Sequence, residues 1–138
     1  MRRIAAERSA SLDVAPPRPR ALAVSIGTLH GLYRGTPKLD FDRLAHIRSV
    51  CPIPLVLHGG SDTPDQDLRR AIEIGIDKIN IWTDVRIPFL RALKETLGGP
   101  IEKIEVRDAM SAARAAASEV IRRKNRLLGS AGKVGLYV

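Results

Sequence analysis

Three short apolar runs constrain this chain more than anything else in it: "ALAVSIG", "PLVLHG" and "KINIWT". Each is dominated by apolar residues with little alternation, the pattern of strands covered on both faces, and each runs into a polar cluster, "HGLYRG", "HGGSD" or "NIWTD". The segments between them have helical spacing. "FDRLAHIRSV" places Phe41, Leu44 and Ile47 on one face. "PDQDLRRAIEIG" opens with Pro64 and acids, carries Leu68, Ala71 and Ile72 on one face, and stops at Gly75. Phe89, Leu90, Leu93 and Leu97 line a third helix, and a long helix from about Val106 to Leu128 has Val106, Met110, Ala113, Ala117, Val120 and Ile121 as its expected apolar stripe. Strand and helix in strict alternation predict an α/β fold of parallel strands joined by crossovers. The polar clusters then fall at the C-terminal ends of the strands, where such folds place ligand sites.

The 138 residues hold one domain with a modest core, and no apolar run reaches the ~20 residues of a membrane helix. "MRRIAAERSASLDV" has no continuous apolar segment of the secretory kind, so a cytoplasmic protein with no membrane partner is expected. Residues 1–20, rich in Ala, Pro and Arg and without a period, read as an unstructured basic leader or linker before a folded part over 21–138. The net charge of +8 is concentrated at the ends: residues 1–20 hold five Arg against two acids and residues 105–138 seven Lys or Arg against three, whereas 21–104 are nearly balanced. Basic ends are more often solvated than nucleic-acid readers, and aromatics make up only 4% of the chain, so nucleic acid is the weakest partner class. Cys51, between Val50 and Pro52, reads as a small buried apolar residue.

Two of the three histidines, His30 and His58, end apolar runs and precede glycine. One such histidine is ordinarily a polar end group satisfied by backbone. Two at equivalent places, on parallel strands about 4.8 Å apart, can converge on a metal with Zn–N distances of about 2.0–2.1 Å. His46 lies mid-helix and reads as solvated, which leaves the pair one short of the three protein ligands a catalytic zinc takes. Gly59, Gly60 and Ser61 before a helix form a candidate phosphate cradle, although a bare "GGS" mostly marks a turn. Asn80 and Thr83 stand at the next strand end, where Thr83 offers a second hydroxyl and Asp84 is expected to cap its helix.

Taken together, "ALAVSIGTLHGLYRGTPKLDFDRLAHI", "PLVLHGGSD", "AIEIGIDKINIWTDVR" and "RLLGSAGK" resemble the C-terminal part of class II, zinc-dependent ketose-bisphosphate aldolases, the fructose- and tagatose-bisphosphate type, from about Ala21 to Lys133. The resemblance implies a partial TIM (β/α)8 barrel, its last three β/α units plus a C-terminal helix. It makes His30 and His58 zinc ligands. It makes Gly31, Gly59, Gly60, Ser61, Asn80 and Thr83 binders of the dihydroxyacetone-phosphate end of a ketose bisphosphate, with Asn80 the catalytic residue that orients the intermediate. Backbone around Gly31 and Gly59 would hold a monovalent cation, Na+ or K+. The implied reaction is reversible cleavage of a ketose 1,6-bisphosphate to dihydroxyacetone phosphate and an aldehyde.

Similar enzymes carry a third zinc histidine and a catalytic aspartate in a stretch like "H-x-D-H", and residues 1–29 contain none. Trp82 stands where the family has a small or acidic residue, and Asp62, where "GGSG" has glycine, would bring a carboxylate that repels phosphate. The chain is thus expected to be incomplete and inactive alone, and either joined by a complementing N-terminal aldolase half or a non-catalytic remnant with a phosphate-binding or assembly role. Homo-oligomers are the expected assembly.

Overall fold

The computed structural model of the chain describes residues 19–29, 31, 35 and 37–136. Most of the expected leader and His30 fall outside them. The first strand, β1, is Leu22–Val24. Helix α1, Phe41–Val50, begins where Asp40 accepts a hydrogen bond from the Arg43 amide at 2.9 Å, a side-chain cap worth about 1 kcal/mol. Strand β2, Leu55–Leu57, is buried throughout. Helix α2, Asp65–Ile74, has acids in its first turn and stops at Gly75, whose φ of 137° few L side chains adopt. Strand β3 is Ile76–Ile79, helix α3 Thr83–Thr96 and helix α4 Val106–Leu127.

The strands form one parallel sheet in the order β1-β2-β3, as the alternating pattern requires. Its third member begins two residues earlier than the "KINIWT" run, because Ile76 is needed in the core and the chain is already turning into α3 by Trp82. Between Leu55 and Val56 the β2–β3 register shifts past Asp77. The Asp77 carboxylate accepts from the Leu55 amide at 2.8 Å, so a side chain supplies the acceptor that the irregular ladder withholds.

Val24, Leu55, Leu57 and Ile76 from the sheet pack with Ile26, Leu39, Leu44, Leu68 and Ala71 into one core, and Leu127 and Leu128 at the end of α4 touch it. On the opposite face of the sheet the paired row is Ala23, Val56 and Lys78, of which Ala23 and Lys78 are exposed. Helices α3 and α4 pack on each other more extensively than any other pair of elements. Of the stripe expected on α4, Ala113 is buried and Ala117 and Val120 are half-buried, whereas Val106, Met110 and Ile121 are exposed; Ala109 and Lys124 complete the buried line. Small alanines permit close approach to α3, which turns the bulkier residues outward. Cys51 is half-buried against the core, and no helix among the described residues is long and apolar enough to cross a membrane.

Candidate functional site

A cavity of about 700 Å³ opens at the C-terminal ends of β2 and β3, lined by Gly31, His58, Gly59, Ser61, Lys78, Ile79, Asn80, Ile81, Trp82, Thr83 and Arg86. It gathers every expected site residue except Gly60, which is buried behind it, and His30, which is not described. His58 follows β2 and is exposed; His46, in mid-α1, is exposed as expected.

The turn after β2 is shaped by close approach. Gly59 has φ 71°, and a Cβ there would lie 2.3 Å from the Leu29 carbonyl oxygen. At Gly60 a Cβ would lie 2.5 Å from Ile79 Cγ2, and the Gly60 amide donates to the Asn80 carbonyl at 3.0 Å. Gly60 therefore joins the β2 turn to the end of β3, with its amide already engaged.

Ser61, 4% exposed, does the same for α3. Its Oγ accepts from the amides of Trp82 at 3.0 Å and Asp84 at 3.4 Å, and so caps a helix whose own N-cap residue, Trp82, supplies no side-chain cap. The expected capping role of Asp84 is corrected here: Asp84 lies inside the first turn, too far along to fold back, and its Oδ1 accepts instead from the Asp62 amide at 3.0 Å. Thr83, the first residue of α3, is buried.

Asn80 is fixed from three sides. Its amide donates to the Leu57 carbonyl at 2.9 Å, its carbonyl accepts from Gly60, and its side-chain Oδ1 accepts from Lys78 Nζ. Lys78 and Arg86 are two cavity-lining cations that the motifs did not single out. The lining carries no carboxylate among the described residues. Asp62, expected to repel phosphate, instead lines a neighbouring cleft of about 560 Å³ with Asp65, Asp84 and Lys124.

Imidazole is a donor zinc accepts, so His58 fits a metal ligand chemically. Among the described residues, however, no three His, Cys, Asp or Glu side chains cluster closely enough to hold a metal ion.

The family model described as fructose-bisphosphate aldolase class-II matches residues 9–133, beginning inside the segment expected to be a leader. The chain belongs to the class-II fructose-bisphosphate aldolase family. It is similar to the YdjI aldolase from Escherichia coli K12, at 35% identity and a TM-score of 0.69 over 83% of this chain and 40% of that one. A putative fructose-1,6-biphosphate aldolase from Coccidioides immitis shares the fold at 23% identity and a TM-score of 0.78, over 85% of this chain and 40% of that one. A fructose-bisphosphate aldolase from Campylobacter jejuni shares it at 21% identity and a TM-score of 0.61, over 78% and 39%. The chain thus spans about two-fifths of the length of these structures.

Proposed function

We propose that this chain forms the phosphate-binding side of a class II aldolase barrel and that the cavity takes the dihydroxyacetone-phosphate end of a ketose bisphosphate. The observation that carries the reading is the convergence of His58, Ser61, Asn80 and Thr83 with Lys78 and Arg86 on one cavity at the ends of parallel strands. In this reading the phosphate lies against the Ser61 hydroxyl, Thr83 and the positive end of α3, with Gly31 and the β2 turn closing its other side. With Asn80 Oδ1 taken by Lys78, the side-chain amide offers its two N–H groups to an oxyanion developing on the substrate.

Zinc would be held by His58 and His30 together with a ligand that these two do not supply, and when bound it polarises the substrate carbonyl as a Lewis acid. A monovalent cation, Na+ or K+, fits the same reading through backbone oxygens near Gly31 and Gly59. The histidine–aspartate pair that the resemblance calls for is not in residues 1–29. Cleavage therefore requires a barrel segment that supplies both, such as a complementing aldolase half. The remnant reading keeps the phosphate site without that step, and the exposed Trp82 at the cavity wall, where the resemblance calls for a small or acidic residue, favours it.

Trp82 is the only tryptophan and lines the cavity, so its fluorescence reports occupancy. Titration of the full chain with dihydroxyacetone phosphate should give a saturable change, weakened in Ser61→Ala. No change at millimolar ligand would refute the phosphate site in both readings.

A further inference from the structure

We infer that Lys124, which does not itself line the cavity, is a positioning residue that holds the phosphate cradle together and keeps its charge positive. The inference rests on the cradle assignment made above. Lys124 lies near the end of α4 and is 6% exposed, although lysine is almost never buried unless paired. Its Nζ lies 3.2 Å from Asp84 Oδ2 and 3.3 Å from Asp65 Oδ1. Asp84 belongs to the first turn of α3 and Asp65 opens α2, so one ammonium group joins the starts of the two helices that follow β2 and β3.

The connection continues to the cradle. The second oxygen of Asp84 accepts from the Asp62 amide, and Asp62 has φ 58°, a left-handed conformation uncommon outside glycine. Ser61, the residue before it, accepts from the Trp82 and Asp84 amides. The turn is thus tied to α3 at two adjacent residues, and the carboxylate that makes one of the ties is itself gripped by Lys124.

Charge gives the clamp its second effect. Asp84 follows Thr83 directly and is mostly buried, so its carboxylate lies at the end of α3 that receives the phosphate. Unneutralised there, it would oppose an anionic ligand; with Lys124 against it, the field at the start of α3 stays favourable. An apolar side chain at 124 would fill the same space and continue the buried line of Ala109 and Ala113, but it would leave Asp84 unpaired.

The test uses the full chain carrying Lys124→Met, Lys124→Arg, or Lys124→Met with Asp84→Asn, read by amide hydrogen exchange and by dihydroxyacetone phosphate titration on Trp82 fluorescence. In Lys124→Met the amides of Asp62, Trp82 and Asp84 should exchange about tenfold faster while those of Leu44 and Leu68 keep their rates, and ligand affinity should fall about tenfold. Lys124→Arg should retain both properties. Adding Asp84→Asn to Lys124→Met removes the stranded charge while keeping an acceptor for the Asp62 amide, and should restore most of the affinity. Uniformly faster exchange across α1 and α2, or no change at the three amides, would overturn the inference. So would undiminished affinity in Lys124→Met. If the wild-type chain binds no ligand, the phosphate-site reading fails, and the exchange pattern alone decides the positioning role.

Discussion

Gly59→Ala should destabilise the chain well beyond what its backbone conformation alone accounts for. The effect can be isolated, because Gly129 has the same φ of 71° in open surroundings. Gly129 ends α4 with its amide donating to Arg126 O at 3.2 Å and the Ser130 amide to Asn125 O at 3.0 Å, the paired bonds of a Schellman turn. Alanine at either position enters the left-handed region, at roughly 1–2 kcal/mol. At Gly129 no heavy atom beyond the adjoining residues lies within 4 Å of the new Cβ. At Gly59 the Cβ would lie 2.3 Å from Leu29 O and 2.9 Å from Leu29 C, both backbone atoms that cannot rotate away. Relief requires the segment around Leu29, five residues past β1, to move by about an ångström, and such overpacking costs roughly 1–3 kcal/mol. Gly59→Ala should therefore be about 2–5 kcal/mol less stable than wild type, and Gly129→Ala about 1–2. Urea denaturation of both variants, compared at equal m-values, measures the difference. Equal midpoints for the two variants would show that the segment after β1 and the β2 turn are not in contact at Leu29, and the arrangement of the cavity wall would have to be abandoned.

Two further predictions bear on the chemistry. Asn80→Asp keeps the shape and the Lys78 contact but replaces the two N–H donors with a charged oxygen; dihydroxyacetone phosphate affinity should fall at least tenfold with thermal stability little changed, and unchanged affinity would remove Asn80 from the site. Zinc binding by the chain, followed by calorimetry, should be weak and lost in His58→Ala; binding that survives the substitution would place the metal elsewhere.

Much of the fold was legible because it rests on local patterns. The 3.6-residue spacing of Phe41, Leu44 and Ile47 gave α1, and Pro64 with the acids after it and the stop at Gly75 gave α2, nearly to the residue. What the pattern missed depends on partners distant in sequence. Asp77 lies inside β3, and only its hydrogen bond to Leu55, twenty-two positions away, explains a carboxylate there. Asp84 looked like a helix cap because a cap is the commonest use of an acid after a strand, but Ser61 in the preceding turn takes that place. Lys124 lies at helical spacing from Ala113, Ala117 and Val120, and its position on that line was the one available sign that it is buried. At the site itself, Ser61, Asn80 and Thr83 could be picked out by position at the strand ends. Lys78 and Arg86 could not, because a cation on a strand or helix acquires meaning only when the cavity it faces is known.

The way these residues satisfy one another also explains why the cavity suits an anion. At Ser61 and Asn80 the acceptors that the fold fixes at the wall are already taken by donors from the fold. Ser61 Oγ receives two amides of α3, the Asn80 carbonyl receives the Gly60 amide, and Asn80 Oδ1 receives Lys78. What remains at those two residues is the donor half of each group, the hydroxyl hydrogen of Ser61 and the amide hydrogens of Asn80, beside the cationic ends of Lys78 and Arg86. A ligand rich in acceptors and carrying negative charge can engage all of these without displacing a bond that holds the sheet to α3. The donors left at these two residues are thus a product of folding: the hydrogen bonds that join the β2 turn, β3 and α3 engage the acceptors of Ser61 and Asn80, and the polarity that remains there is the one the proposed phosphate site calls for.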